Sequence, residues 1–150
     1  MIACIFVLSK NQNAIMTTKV FINLPVKDLA ASMEFYSKLG FQNNPQFTDQ
    51  TAACMVFSEN LYVMLLTYEK FRNFTKKEIG DASQTTQMLL AVSVETKDKV
   101  KELINLAVKS GGSIYMDAAE YEWMYQHSFA DPDGHQWEVF YMDESKLPKT

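Results

Sequence analysis

The sequence repeats its own pattern at a spacing of 68 residues, and no other feature limits the fold as tightly. Residues 20–26 alternate apolar and other side chains, with Val20, Ile22, Leu24 and Val26 on one face, as a half-buried strand requires. Asp28 then offers a carboxylate to cap a helix running to about Leu39, whose stripe is Leu29, Met33, Tyr36 and Leu39, with Gly40 as its stop. The same succession returns in residues 87–94, with Leu90, Val92 and Val94 on one face, followed by Thr96 as cap. A second stripe, Val100, Leu103, Ile104 and Ala107, ends at Gly111 and Gly112. Val26 and Val94 are 68 positions apart, as are Asp28 and Thr96. Three strand-like segments follow each helix: residues 42–48, 52–58 and 61–67, then 113–118, 125–130 and 136–142.

The chain therefore reads βαβββ twice. Each unit alone would leave a sheet face bare, so the expected fold is α+β: two βαβββ modules forming one cup-shaped, curved mixed sheet with helices on the outer face. Module one spans about 18–67, a polar connection spans 68–86, and module two spans about 87–143 within a domain of 18–150. Residues 1–17 differ in character. They carry a short apolar run without a cationic start, which argues against a signal peptide and for a weakly ordered extension or an added edge strand.

Composition narrows the function classes. A net charge of −4 supplies no basic excess for phosphates, which excludes a nucleic-acid partner. No segment approaches the ~20 apolar residues of a membrane span. Two separated cysteines, Cys4 and Cys54, suit a reducing cytoplasm better than a disulfide framework, and Cys54 reads as an inert buried thiol. Phosphate loops, paired Cys-x-x-Cys and His-Glu-x-x-His patterns are missing from the sequence.

The segment 125–141 carries the most chemistry. Asp131-Pro132-Asp133-Gly134 reads as a hairpin turn, because Pro132 presets φ and Gly134 supplies a left-handed position. A single carboxylate, Glu138, sits within the strand after it. A plain two-residue turn sets His127 opposite Glu138, whereas a bulge at Gly134 slips the register and sets His127 opposite Val139. His135, beside the turn, is expected to be a solvated polar residue. Asn23 is placed to hydrogen-bond a ligand or a buried backbone group. Trp123 and Tyr125, with Tyr121, either stack on a planar ligand or close the end of the core. Residues 70–74 of the connection read as a cationic lid or as a surface turn of helix with both phenylalanines tucked under.

The repeat, the Asn23-Leu24-Pro25-Val26-Lys27-Asp28 start, the Phe35-Tyr36-Ser37-Lys38-Leu39-Gly40-Phe41 segment and the Asp131-to-Glu138 ending resemble the vicinal oxygen chelate superfamily. That superfamily contains glyoxalase I, fosfomycin- and bleomycin-resistance proteins and extradiol dioxygenases. The resemblance covers about residues 18–143. It implies a small-molecule ligand in the cup and a homodimer, and in metal-dependent members His, Glu or Gln ligands on the first and last strands of both modules. Carried over, those positions fall on Phe21, Leu89, Leu65 and Glu138. Only Glu138 has a ligand atom, so no cofactor is expected and a divalent metal is not supported by these residues.

Three functions follow from this pattern. The first is a glyoxalase/bleomycin-resistance-like protein that binds a small, partly apolar molecule through Phe21, Asn23, Leu65, Leu89, Trp123 and Tyr125. It either sequesters that molecule or performs mild acid–base chemistry through Glu138, with His127 as the second candidate group. The second is a metal-dependent lyase, isomerase or dioxygenase with a rearranged ligand set around Glu138 and His127. The third is a non-catalytic interaction module whose cup is filled by its own aromatic residues.

Overall fold

The computed structural model describes residues 18–148, so the expected N-terminal extension lies outside the described residues. The element order is β1 (Val20–Val26), α1 (Leu29–Lys38), β2 (Gln42–Asn44), β3 (Ala52–Val56), β4 (Leu61–Thr67), α2 (Tyr68–Arg72), β5 (Leu90–Ser93), α3 (Lys97–Lys109), β6 (Ala119–Glu120), β7 (Met124–Ala130) and β8 (Gln136–Met142). The architecture is α+β and consists of two βαβββ modules. Each contributes a four-stranded mixed sheet, in the orders β1-β4-β3-β2 and β5-β8-β7-β6. In both, the first strand runs parallel to the last and the remaining pairs are antiparallel.

Local chemistry sets the helix limits. The Asp28 carboxylate accepts from the Ala31 amide at 3.0 Å, and Thr96 Oγ1 accepts from the Lys99 amide at 3.1 Å. The second strand of module one, Gln42–Asn44, is shorter than the expected 42–48. Asn44 caps a 3₁₀ turn, Pro45–Phe47, which ends the ladder. In module two, residues 113–118 make only one bridge, Ser113 to Ala130, before the two-residue β6.

One core serves both modules. α1 buries Ser32, Phe35 and Tyr36, α3 buries Val100, Ile104 and Ala107, and the helices touch each other. Trp137 of β8 stacks on Phe57, which follows β3, at 5.1 Å, and Phe57 stacks on Phe41 at 3.6 Å. Such pairs contribute about 0.5–1.5 kcal/mol each beyond their buried area, and here they join the two halves.

The hairpin turn after β7 acts as an inter-module bolt. Asp131 and Asp133 are 4% and 6% exposed, although both sit at a turn tip. Tyr36 Oη donates to Asp131 Oδ2 at 2.6 Å, and Trp137 Nε1 donates to Tyr36 Oη at 3.1 Å. Asp131 Oδ1 accepts from the backbone amides of Asp133 and His135. Asp133 accepts from the Lys27 amide at 2.8 Å and from Ser32 Oγ at 2.9 Å. His135 is therefore not the solvated residue expected. Its side chain is 10% exposed, and its Nδ1 lies 2.9 Å from Asp131 Oδ2. Module one covers the turn, which overrides the usual exposure of loop tips.

Burial, and then the charge of Asp131, hold the Tyr36 phenol well above its ordinary range. A proton kept by the folded state and lost by the unfolded chain stabilises the fold below the unfolded value near 10. That stability falls as pH rises toward the folded value. We expect a loss of about 1.4 kcal/mol per pH unit from this group above pH ~10. Urea titrations between pH 8 and 11 should show a shallower alkaline decline in Tyr36→Phe, and an unchanged slope would contradict the assignment.

Candidate functional site

Strand alternation divides each sheet into a helix-covered face and an opposite face, which is open at Phe21 and Asn23 but covered at Cys54, Leu66 and Ser128. In β1, Leu24 and Val26 are buried toward the helices, which leaves Phe21 and Asn23 on the open face. Phe21 is 52% exposed and stacks on Tyr62 at 4.8 Å. Leu89, one residue before β5 and 49% exposed, continues the open-face parity of Ala91.

Leu65 is not on that face. It pairs with Leu24 and is fully buried in the common core beside Val63. The open-face residue of β4 is its neighbour Met64, which pairs with Asn23, just as Glu138 of β8 pairs with Ala91. Asn23 and Ala91 are 68 positions apart, so Met64 is the counterpart of Glu138. The expected position was one residue off, and a slip of one flips every side chain across a sheet.

The hairpin adopts the bulged alternative. Gly134 has φ +97°, Ala130 pairs with Gln136, and His127 pairs with Val139 rather than with Glu138. His127 and Tyr125 therefore share the helix-covered side with Val139 and do not join Glu138. The Tyr125 ring lies under Lys97 and Lys101 of α3, with ammonium-to-centroid distances of 4.7 and 5.8 Å. His127 Nδ1 accepts from the Ser128 amide at 2.9 Å. Trp123 stacks on Tyr121 at 5.9 Å, and its carbonyl accepts from the Asp143 amide.

Glu138 keeps different company. Ser128 lies directly across the ladder, and Gln126 Nε2 donates to Glu138 Oε1 at 2.8 Å. Ser128 Oγ donates to the Met116 carbonyl at 3.1 Å. Tyr115 completes the group. Burial raises its phenol above the ordinary range, and the Glu138 charge adds to this. Ser128 is near enough to oppose that shift, yet no hydrogen bond of acceptable geometry joins the two hydroxyls. Among the described residues, Tyr115 Oη and Gln126 Oε1 are both buried without a partner. Tyr115, Gln126 and Ser128 escaped the reading of the sequence. The signal for the last two was the parity of β7 relative to Glu138, readable only once the bulge is placed.

The residues present do not fit a divalent metal centre of the family type. The four equivalent positions carry Phe21, Leu89, Met64 and Glu138: one carboxylate, one soft thioether and two hydrocarbons. Among the described residues, no three His, Cys, Asp or Glu side chains are arranged to hold a metal ion. Cys54 is fully buried, and burial pushes its thiol up, away from reactivity.

A crevice of about 330 Å³ lies between the connection and the ends of β1, β5 and β8. Asn23 lines it, as do Phe71, Met88 and His135, whereas Glu138 does not. Residues 70–74 fall partly in α2, with Phe71 half-buried, but Phe74 is 71% exposed and is not tucked under. Among the described residues, no helix is long and apolar enough to cross a membrane.

These features meet in one family. The chain matches the Glyoxalase/Bleomycin resistance protein/Dioxygenase superfamily over residues 19–139, and it belongs to that superfamily. A hypothetical protein of S. aureus is similar in structure, with TM-score 0.71 and 25% identity over 84% of this chain and 94% of that one. A glyoxalase-related enzyme from Fulvimarina pelagi superposes with TM-score 0.72 and 23% identity, covering 84% and 88% of the two chains. A genomically encoded fosfomycin resistance protein of Listeria monocytogenes gives TM-score 0.63 at 15% identity, covering 87% and 98%. The last two likenesses concern the fold alone. No curated protein matches the sequence.

Proposed function

We propose that this chain binds a small, partly apolar molecule against the open face of the second sheet. Glu138 serves as its polar anchor or as an acid–base group, without a resident metal. One observation carries the reading: Tyr115 Oη and Gln126 Oε1, beside Glu138, are buried with no partner among the described residues. A buried polar atom left unpaired costs about 1–3 kcal/mol, so such a pair beside a carboxylate calls for a bound group that supplies the missing bonds. Both atoms are closed to water in the unliganded chain, so a ligand satisfies them by turning these side chains outward, with a donor for Gln126 Oε1 and an acceptor for the Tyr115 hydroxyl. Its apolar part would meet the exposed Phe21 and Leu89. The same exposure supports the homodimer that family resemblance implies, since a second copy would cover apolar surface. The free Cys54 thiol suits a reducing, cytoplasmic setting.

The test is a thermal-shift screen of small molecules, because a compound held by the native form raises its melting temperature. Glu138→Gln and Tyr115→Phe should each shrink the shift of compounds held against this face. Tyr115→Phe should leave the unliganded protein as stable as before, or up to about 1–3 kcal/mol more stable, since it deletes an unsatisfied hydroxyl. If every compound found keeps the same shift in both variants, the assignment fails. One tight metal equivalent per chain, lost on Glu138→Ala, would replace this reading with the metal-dependent one.

A further inference from the structure

The crevice under the connection is built around His135. The connection is seated directly on the hairpin turn: a Cβ at Gly134, where φ is +97°, would lie 2.7 Å from the Ser83 backbone nitrogen. Thr86 Oγ1 donates to Gln136 Oε1, and Lys27 faces Asp81 at 3.8 Å. This seating forms one wall of the crevice of about 330 Å³, a volume within the range of small-molecule sites. Phe71, Ile79, Met88 and Leu90 give it an apolar wall, and Asn23, Gln136 and His135 are among the polar side chains that line the rest.

His135 is oriented from behind. Asp131 Oδ2 takes the Tyr36 hydroxyl at 2.6 Å and the imidazole Nδ1 at 2.9 Å, while Oδ1 takes two backbone amides. A carboxylate can only accept, so the neutral imidazole carries its proton on Nδ1 and leaves Nε2 as a lone-pair acceptor. Among the described residues, no hydrogen bond reaches Nε2, although the ring is 10% exposed and lines the crevice. The remaining partners of Asp131 fix the ring at little entropic cost on binding, as preorganised sites require.

We propose that this crevice is a second small-molecule site, taking a molecule of about one ring in size, largely apolar, with a hydroxyl or N–H group that donates to His135 Nε2. Glu138 plays no part in it, so the proposal does not depend on the reading above.

The test uses 4-methylphenol and toluene as probes of the full chain, followed by the methyl signals of Ile79, Met88 and Leu90 in NMR titrations. Both probes should perturb these methyls, and 4-methylphenol should bind more tightly. In His135→Asn the amide can still donate to Asp131 but has no atom at the Nε2 position. There the 4-methylphenol affinity should drop roughly fivefold to tenfold while that of toluene stays put. Ile79→Trp, a change in the connection, should fill the crevice and abolish binding of both, and Glu138→Gln should alter neither. Equal affinities for the two probes in the native chain, or methyl signals that never move, would overturn the proposal.

Discussion

Asp131→Ala should cost the fold about 3–5 kcal/mol, the range expected when one member of a buried, charge-assisted network is deleted. Asp131 sits at a turn, where substitution is ordinarily cheap, yet its side chain is 1% exposed. Removing it leaves the Tyr36 hydroxyl, the His135 Nδ1 proton and two backbone amides without an acceptor. Water cannot replace that acceptor easily, because Tyr36 is fully buried. The damage should spread to both modules, since Tyr36 belongs to α1 and is 95 positions away in sequence. Asp131→Asn keeps the shape and one carbonyl acceptor, so its cost should be smaller. Urea unfolding followed by tryptophan fluorescence reads the effect, because Trp137 is bonded to Tyr36 and reports on the network directly. A loss below ~1 kcal/mol in the alanine variant would mean that the aromatic stack, and not the turn, joins the halves.

The sequence carried the architecture because its signals are local and redundant. The cap, stripe and glycine stop of each helix occur twice, and the two copies support each other. The inward and outward faces of β4 were not readable in the same way. Leu61–Thr67 reads Leu-Tyr-Val-Met-Leu-Leu-Thr, an almost unbroken apolar run with no alternation to mark parity. That is why Leu65 stood in for Met64. The bulge at Gly134 was recognised as one of two registers, but propensity alone does not choose between them, and the side of His127 depended on the choice. The buried aspartates of the turn were invisible for a different reason. Asp-Pro-Asp-Gly has the composition of an exposed loop, and only α1 and Lys27 just before it, 95 to 106 positions away by the hydrogen bonds made, turn it into an interior element. The partners of Glu138 were hidden for the same reason, since Tyr115 reaches the cluster from an irregular segment with no periodicity to follow.

Adjacent residues of β4 should respond in opposite ways to one substitution. Leu65→Glu should abolish soluble, folded protein, whereas Met64→Glu should cost about 1 kcal/mol or less. Leu65 is fully buried in the common core, paired with Leu24. Losing its packing alone costs about 2–5 kcal/mol, as in other buried leucine truncations. An unpaired carboxylate then adds a desolvation penalty of several kcal/mol or must take up a proton. The sum approaches the whole stability of an ordinary domain, about 5–15 kcal/mol. Met64 lies on the open face, half-buried, where a carboxylate can reach water. It also occupies the place that Glu138 holds in module two, so the Met64→Glu variant restores the symmetry of the repeat. Soluble yield, far-UV circular dichroism and melting temperature of the two variants decide the matter. If Met64→Glu is the one that fails to fold, the faces of β4 are reversed, and with them the equivalence of Met64 and Glu138.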